Sequence, residues 1–174
     1  MKKIEEQDIS VSLPQTEEEK ELVKRYVKPH DKLSRDITDE DLLRVAEEAK
    51  IMFELCWTPV GLYPGGEAVA HSQIDDKDPL KLFVTKNKEI IINANIVNHT
   101  KTTVPRAEGC LTFPDMPFVT VERWNKVTVE YQTITPDGKL SDKITENMNG
   151  HRANIFQHEI MCHFLNQYIY PFNK

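Results

Sequence analysis

The residues Gln157-His158-Glu159-Ile160-Met161-Cys162-His163 place histidine, carboxylate and thiol within two turns of an otherwise apolar segment. In a His-Glu-x-x-His pattern, two imidazoles four residues apart share one helix face and hold one metal, with the glutamate placed to move protons. Here the two histidines are five apart, and Cys162 occupies the fourth place after His158. On a regular helix His158 and Cys162 would stand only about 40° apart, a pair that zinc or iron accepts. His163 reaches the same face only if the helix carries a π-bulge, a rare feature that clusters at functional sites.

Such a segment must be buried and positioned by others. From His151 to Leu165, the side chains of Ile155, Phe156, Ile160, Phe164 and Leu165 recur at helical intervals, which predicts a C-terminal helix in the core. Upstream, Thr16 and Glu19 form a capping box for a short, polar helix that Pro29 ends. A stronger helix is expected from Thr38 or Asp39 to Cys56, with an apolar face of Leu42, Leu43, Val45, Ala46, Ala49, Phe53 and Met52. Residues 58–66 are rich in Pro and Gly and read as a loop. Short strands follow at 68–74, 80–84 and 89–93; a meander is expected from 118–123 and 126–131, turned at Pro136-Asp137-Gly138 into 139–146. The expected class is α+β: mostly antiparallel sheet packed around a central, motif-bearing C-terminal helix, with N-terminal helices.

At 174 residues the chain fits one domain, 1–174, with 1–32 as a peripheral N-terminal segment. Its 22 basic and 28 acidic residues give a net charge of -6, which argues against a phosphate-backbone binder, so no direct nucleic-acid partner is expected. Three scattered cysteines suit a reducing compartment. The charged N-terminus has no apolar signal region and no stretch reaches membrane-span length, so a cytoplasmic protein without a membrane partner is expected.

Three motifs in fixed order extend the reading. They are Gly66-Glu67-Ala68-Val69-Ala70-His71-Ser72-Gln73, then Glu108-Gly109-Cys110-Leu111-Thr112, then Gln157 to His163. Over roughly residues 33–170 the chain resembles the peptide deformylases, whose corresponding motifs are Gly-x-Gly-Leu-Ala-Ala-x-Gln, Glu-Gly-Cys-Leu-Ser and Gln-His-Glu-x-Asp-His. Asn93, Arg123 and the Asp137-Gly138-Lys139 turn add supporting matches.

The resemblance implies metal-dependent removal of the formyl group from N-formylmethionyl peptides, the partner being a nascent chain. It implies one divalent metal, Fe2+ or in its place Zn2+, Ni2+ or Co2+, held by Cys110, His158 and His163. Glu159 would move the proton, while Gln73 and the backbone N–H of Leu111 face the developing oxyanion. Glu108 and Arg123 would pair behind the cysteine loop. Gly66, Glu67, Ala68 and His71 would touch substrate.

The departures are specific. The third motif runs one residue long, leaving Cys162 and His163 as alternatives for the third ligand. An insertion fits the downstream residues better: it puts Phe164 at the family's Leu and Asn166, a common left-handed substitute for Gly, at the helix-ending position. In the first motif Ala68 replaces the second Gly, Glu67 an apolar residue and His71 the second Ala. If 68–74 is a strand, His71 points the same way as Gln73, toward the metal region. There it would crowd substrate, bond a ligand or bind metal, unless it packs against the central helix. Two other functions stay open: a diverged fold that binds peptide termini, and hydrolysis of another amide.

Overall fold

The computed structural model describes residues 16–25 and 29–170. Helix α1 spans Glu17–Arg25. Its capping box is formed: Glu19 N–H donates to Thr16 Oγ1 at 3.1 Å and Thr16 N–H to the Glu19 carboxylate at 2.7 Å. The charged stretch before it, and the junction ahead of Pro29, lie outside the described residues. Helix α2, Leu42–Trp57, follows a 3-10 turn at Asp39–Asp41. Its buried face is Leu42, Val45, Ala49, Met52, Leu55 and Cys56. Leu43 and Ala46, expected inside, are exposed, and Phe53 is only partly buried. The buried positions follow one another at intervals of three and four, a narrower stripe than the apolar residues alone suggest.

The strands are β1 Ala68–Ala70, β2 Leu82–Thr85, β3 Ile90–His99, β4 Thr103–Glu108, β5 Val119–Trp124, β6 Lys126–Gln132 and β7 Ile144–Asn149. Five form an antiparallel sheet in the order β1-β2-β3-β6-β7, and β4 and β5 form a separate antiparallel pair. The expected meander is therefore corrected. β5 pairs with β4, not with β6, because the chain changes sheets at 99–103 and again at 124–126. Alternating residues announce a strand but not its partner. The third arm of that meander is β7, which pairs with β6 and begins only at Ile144.

The large sheet is covered on both faces, which explains its unbroken apolar runs. Leu82, Val84 and Ile92 face α2, while Phe83, Ile91, Ala94 and Val129 face Phe156, Ile160 and Phe164 of the last helix. Asn93 sits at a register shift in β3 with φ of 52°. Its side chain accepts from Ile37 N–H at 2.7 Å and donates to Ile37 O at 2.9 Å, tying the entry to α2 onto the sheet.

The final helix, α3, covers Gly150–His158 and continues as a π-helix over Glu159–Phe164. The extra residue in the third motif is absorbed there. Leu165 N–H donates to Ile160 O and Gln167 N–H to Met161 O, and Asn166 closes the helix at φ of 56°. That left-handed residue is the C-terminal stop expected from the sequence. The class is α+β, with the motif helix packed against antiparallel sheet. Among the described residues no helix is long and apolar enough to cross a membrane.

Candidate metal centre

Two elements bring the donors together. Cys110 follows β4 directly, and Gly109 before it has no room for a side chain, since a Cβ would collide with the Tyr63 ring. His158, the last residue of α3, and His163, in the π-helix, supply the other two. The ligand atoms of Cys110, His158 and His163 all lie within 4.8 Å of one another, and all three residues are buried. Cys110 Sγ and His163 Nε2 are 3.6 Å apart. Ligands about 2.3 Å (S) and 2.0 Å (N) from one tetrahedral ion would be separated by about 3.5 Å, so the donor set fits a single metal. Cys162, the alternative, is fully buried beside His158 and Arg123 and is not a member of the group.

Each ring is oriented from behind. His158 Nδ1 is 2.8 Å from Glu108 Oε2, which leaves Nε2 for the cluster. Glu108 is held in turn by Arg123, whose Nε and Nη2 each donate at 2.7 Å. The Glu108–Arg123 pairing was expected; the link onward to His158 had no signal in the sequence. His163 Nδ1 is 3.4 Å from Ser72 Oγ, its carbonyl accepts from Ser34 Oγ at 3.1 Å, and Tyr168 packs edge-on against its ring. None of these three supports was legible beforehand.

The groups around His158 favour positive charge, which a bound metal ion would supply in place of the ring's proton. Burial disfavours the imidazolium of His158, but the thiols of Cys162 and Cys110 and the Glu108 carboxylate outweigh it and hold the ring well above the usual imidazole range. Burial, reinforced by His158, holds His163 well below that range, so it is the neutral ring a metal requires. Burial also pushes the Glu159 carboxyl up to about 7, and its Oε2 is buried without a hydrogen-bond partner.

The cluster lies in a cavity of about 260 Å³ that Glu159, Gln73, Leu111, Gly66, Glu67 and Ala68 also line. Gln73 accepts from Ala70 N–H at 2.8 Å and donates to Thr112 Oγ1 at 3.1 Å. A Cβ on Gly66 would stand 2.7 Å from Leu111 Cδ1, so the loop before β1 approaches the cysteine loop as closely as a glycine allows.

His71 is the exception. β1 ends at Ala70, and His71–Gln73 form a 3-10 turn, so the alternation that aimed His71 at the metal region does not apply. It faces α2 instead: Nε2 is 2.6 Å from Glu48 Oε2, and Nδ1 accepts from Leu80 N–H at 3.1 Å. The cavity lining that sequence reasoning missed includes His151, Asn154 and Ile155 of α3, together with Tyr63 and Phe118.

These features have counterparts among known proteins. The family model described as polypeptide deformylase matches residues 40–163. A peptide deformylase of Thermotoga neapolitana is 36% identical over 69 residues, 40% of this chain and 38% of that protein. One from Thermus thermophilus is 28% identical over 126 residues, 70% of this chain and 61% of that one. The matched stretch is thus less than two thirds of either relative. A solved Plasmodium falciparum peptide deformylase in complex with an inhibitor superposes with a TM-score of 0.56 at 26% identity, covering 78% of this chain and 76% of the other. The Thermotoga maritima peptide deformylase structure shares the fold, with a TM-score of 0.58 at 24% identity over 86% of this chain and 92% of its own. With a family match that runs from the start of α2 to His163, the chain belongs to the polypeptide deformylase family.

Proposed function

We propose that the protein is a metal-dependent hydrolase that removes the N-formyl group from N-formylated peptides and releases formate, with N-formylmethionyl peptides as the reference substrate. The observation that carries this reading is the convergence of Cys110, His158 and His163 on one point beside the unpartnered oxygen of Glu159. One divalent ion held by those three residues, Fe2+ or in its place Zn2+, Ni2+ or Co2+, would polarise the formyl oxygen and acidify a water toward neutrality.

The chain's own groups do the rest. Glu159, with a carboxyl pushed up to about 7, takes the proton of the attacking water and returns it to the departing amide nitrogen. Gln73 Nε2 turns from Thr112 toward the oxygen that becomes anionic, beside the backbone N–H of Leu111. Glu108 and Ser72 hold the two imidazoles at their outer nitrogens. β1 ends the sheet, and an extended peptide pairs along its open edge with the formyl end toward Gln73.

Formate release from formyl-Met-Ala-Ser by metal-loaded protein tests this. Turnover that falls at least about a hundredfold in Glu159→Ala is expected. No turnover with any of the four metals would overturn the reading.

A further inference from the structure

Two helical registers compete for the last ligand position. With regular i→i−4 bonds, Cys162 would stand about 40° from His158 around the helix axis and His163 about 140°. The wider turn over Glu159–Phe164, closed by Leu165 N–H on Ile160 O, brings His163 round instead. Such turns are rare in helices, so a contact from outside that favours this one carries weight.

Ser34 makes that contact. It is buried, and it comes from the stretch of chain before α2, 129 residues from His163. Its hydroxyl donates to His163 O at 3.1 Å and its N–H to Phe164 O at 3.3 Å. Both carbonyls lie at the end of the π-helix, and a change to the i→i−4 register would rotate them away, so the two bonds exist in one register only. Ser34 is not free to follow. Next to it Arg35 N–H donates to Pro79 O at 2.9 Å, Lys81 N–H donates to Arg35 O at 2.8 Å, and the Arg35 guanidinium bridges Asp41 and Asp78. The ring of His163 has a looser support: Ser72 Oγ stands 3.4 Å from its Nδ1, against 2.8 Å between His158 and Glu108.

We propose that Ser34 is a positioning residue of the metal centre. Its two bonds select the register that presents His163 over the one that presents Cys162. This rests on the reading that Cys110, His158 and His163 hold a metal ion.

The test is the absorption spectrum of cobalt-loaded protein, in which each thiolate ligand adds charge-transfer intensity. Ser34→Ala removes the hydroxyl bond, keeps the N–H bond and adds no bulk. Loss of one such bond should raise the ratio of Cys162-ligated to His163-ligated protein about fivefold. The variant is therefore expected to show a stronger thiolate band than the parent, and adding Cys162→Ala removes the excess. Val45→Ala, which opens a cavity in the cluster between α2 and the sheet, lowers stability and is expected to match the parent's band. A Ser34→Ala spectrum identical to the parent's overturns the proposal, whatever stability is lost. The same gain in Val45→Ala overturns it too, since the band would then follow stability alone. A parent that takes up no cobalt removes the metal-centre reading and this inference with it, whereas a parent that binds metal and releases no formate removes only the deformylase reading.

Discussion

Arg123 and His158 share one carboxylate oxygen: Arg123 Nη2 and His158 Nδ1 lie 2.7 and 2.8 Å from Oε2 of Glu108. All three side chains are buried, so the arginine that sets Glu108 also sets the ring that offers its other nitrogen to the metal cluster. Arg123→Met would leave the Glu108 charge without its main partner. We expect a loss of about 3 kcal/mol of stability by denaturant unfolding, and metal affinity lower by about tenfold or more. An unchanged affinity would show that Glu108 alone orients His158.

The same pair predicts a pH dependence. Burial alone would raise the Glu108 carboxyl, but the bonds from Arg123 and His158 outweigh it and hold it at about 2. A folded-state value below the unfolded one means the stabilisation is complete above the ordinary carboxylate range and is lost as pH falls through that range toward 2. Urea midpoints should therefore decline from about pH 4.5 downward. Glu108→Gln should flatten that slope while lowering stability at neutral pH.

His71 separates stability from catalysis. It is fully buried and bonds Glu48 and Leu80 N–H away from the cavity. His71→Leu strands the Leu80 N–H and leaves Glu48 with Arg44 but without the imidazole, a cost of about 2 kcal/mol in the unfolding free energy. KM and kcat for a formyl peptide should stay within about twofold of the parent. A tenfold rise in KM at unchanged stability would return His71 to the substrate.

Asn166 tests the helix stop. Its φ of 56° favours glycine, and both polar atoms of its side chain are buried without partners. Asn166→Gly should stabilise the protein and Asn166→Ala destabilise it, each by about 1 kcal/mol. A stabilising alanine would contradict the left-handed closure.

The parts of the fold carried by local patterns were readable in the chain. The capping box at Thr16, the helix up to the loop after Cys56, and the helix bulge implied by an extra residue before Phe164 and Asn166 all depend on neighbours in sequence. What the pattern could not supply was pairing at a distance. β5 alternates like any half-buried strand, yet its partner β4 was not anticipated, and β1 gives way to a 3-10 turn that redirects His71. In the site, motif spacing pointed to Cys110, His158, Glu159 and His163 because motifs are local. Ser34 and Tyr168 lie far from the motifs in sequence, and Ser72 and Asn154, though inside the first motif and on the helix of His158, fall at positions no pattern marks.

On the proposed reading the π-helix brings His163, not Cys162, into the metal site. X-ray absorption at the metal edge of the zinc-loaded protein reads the ligand set directly. The structure predicts one sulfur and two imidazole nitrogens from the protein, a set unchanged in Cys162→Ala and stripped of sulfur in Cys110→Ser. Two sulfurs and one imidazole in the parent, with one sulfur lost in Cys162→Ala, would contradict it.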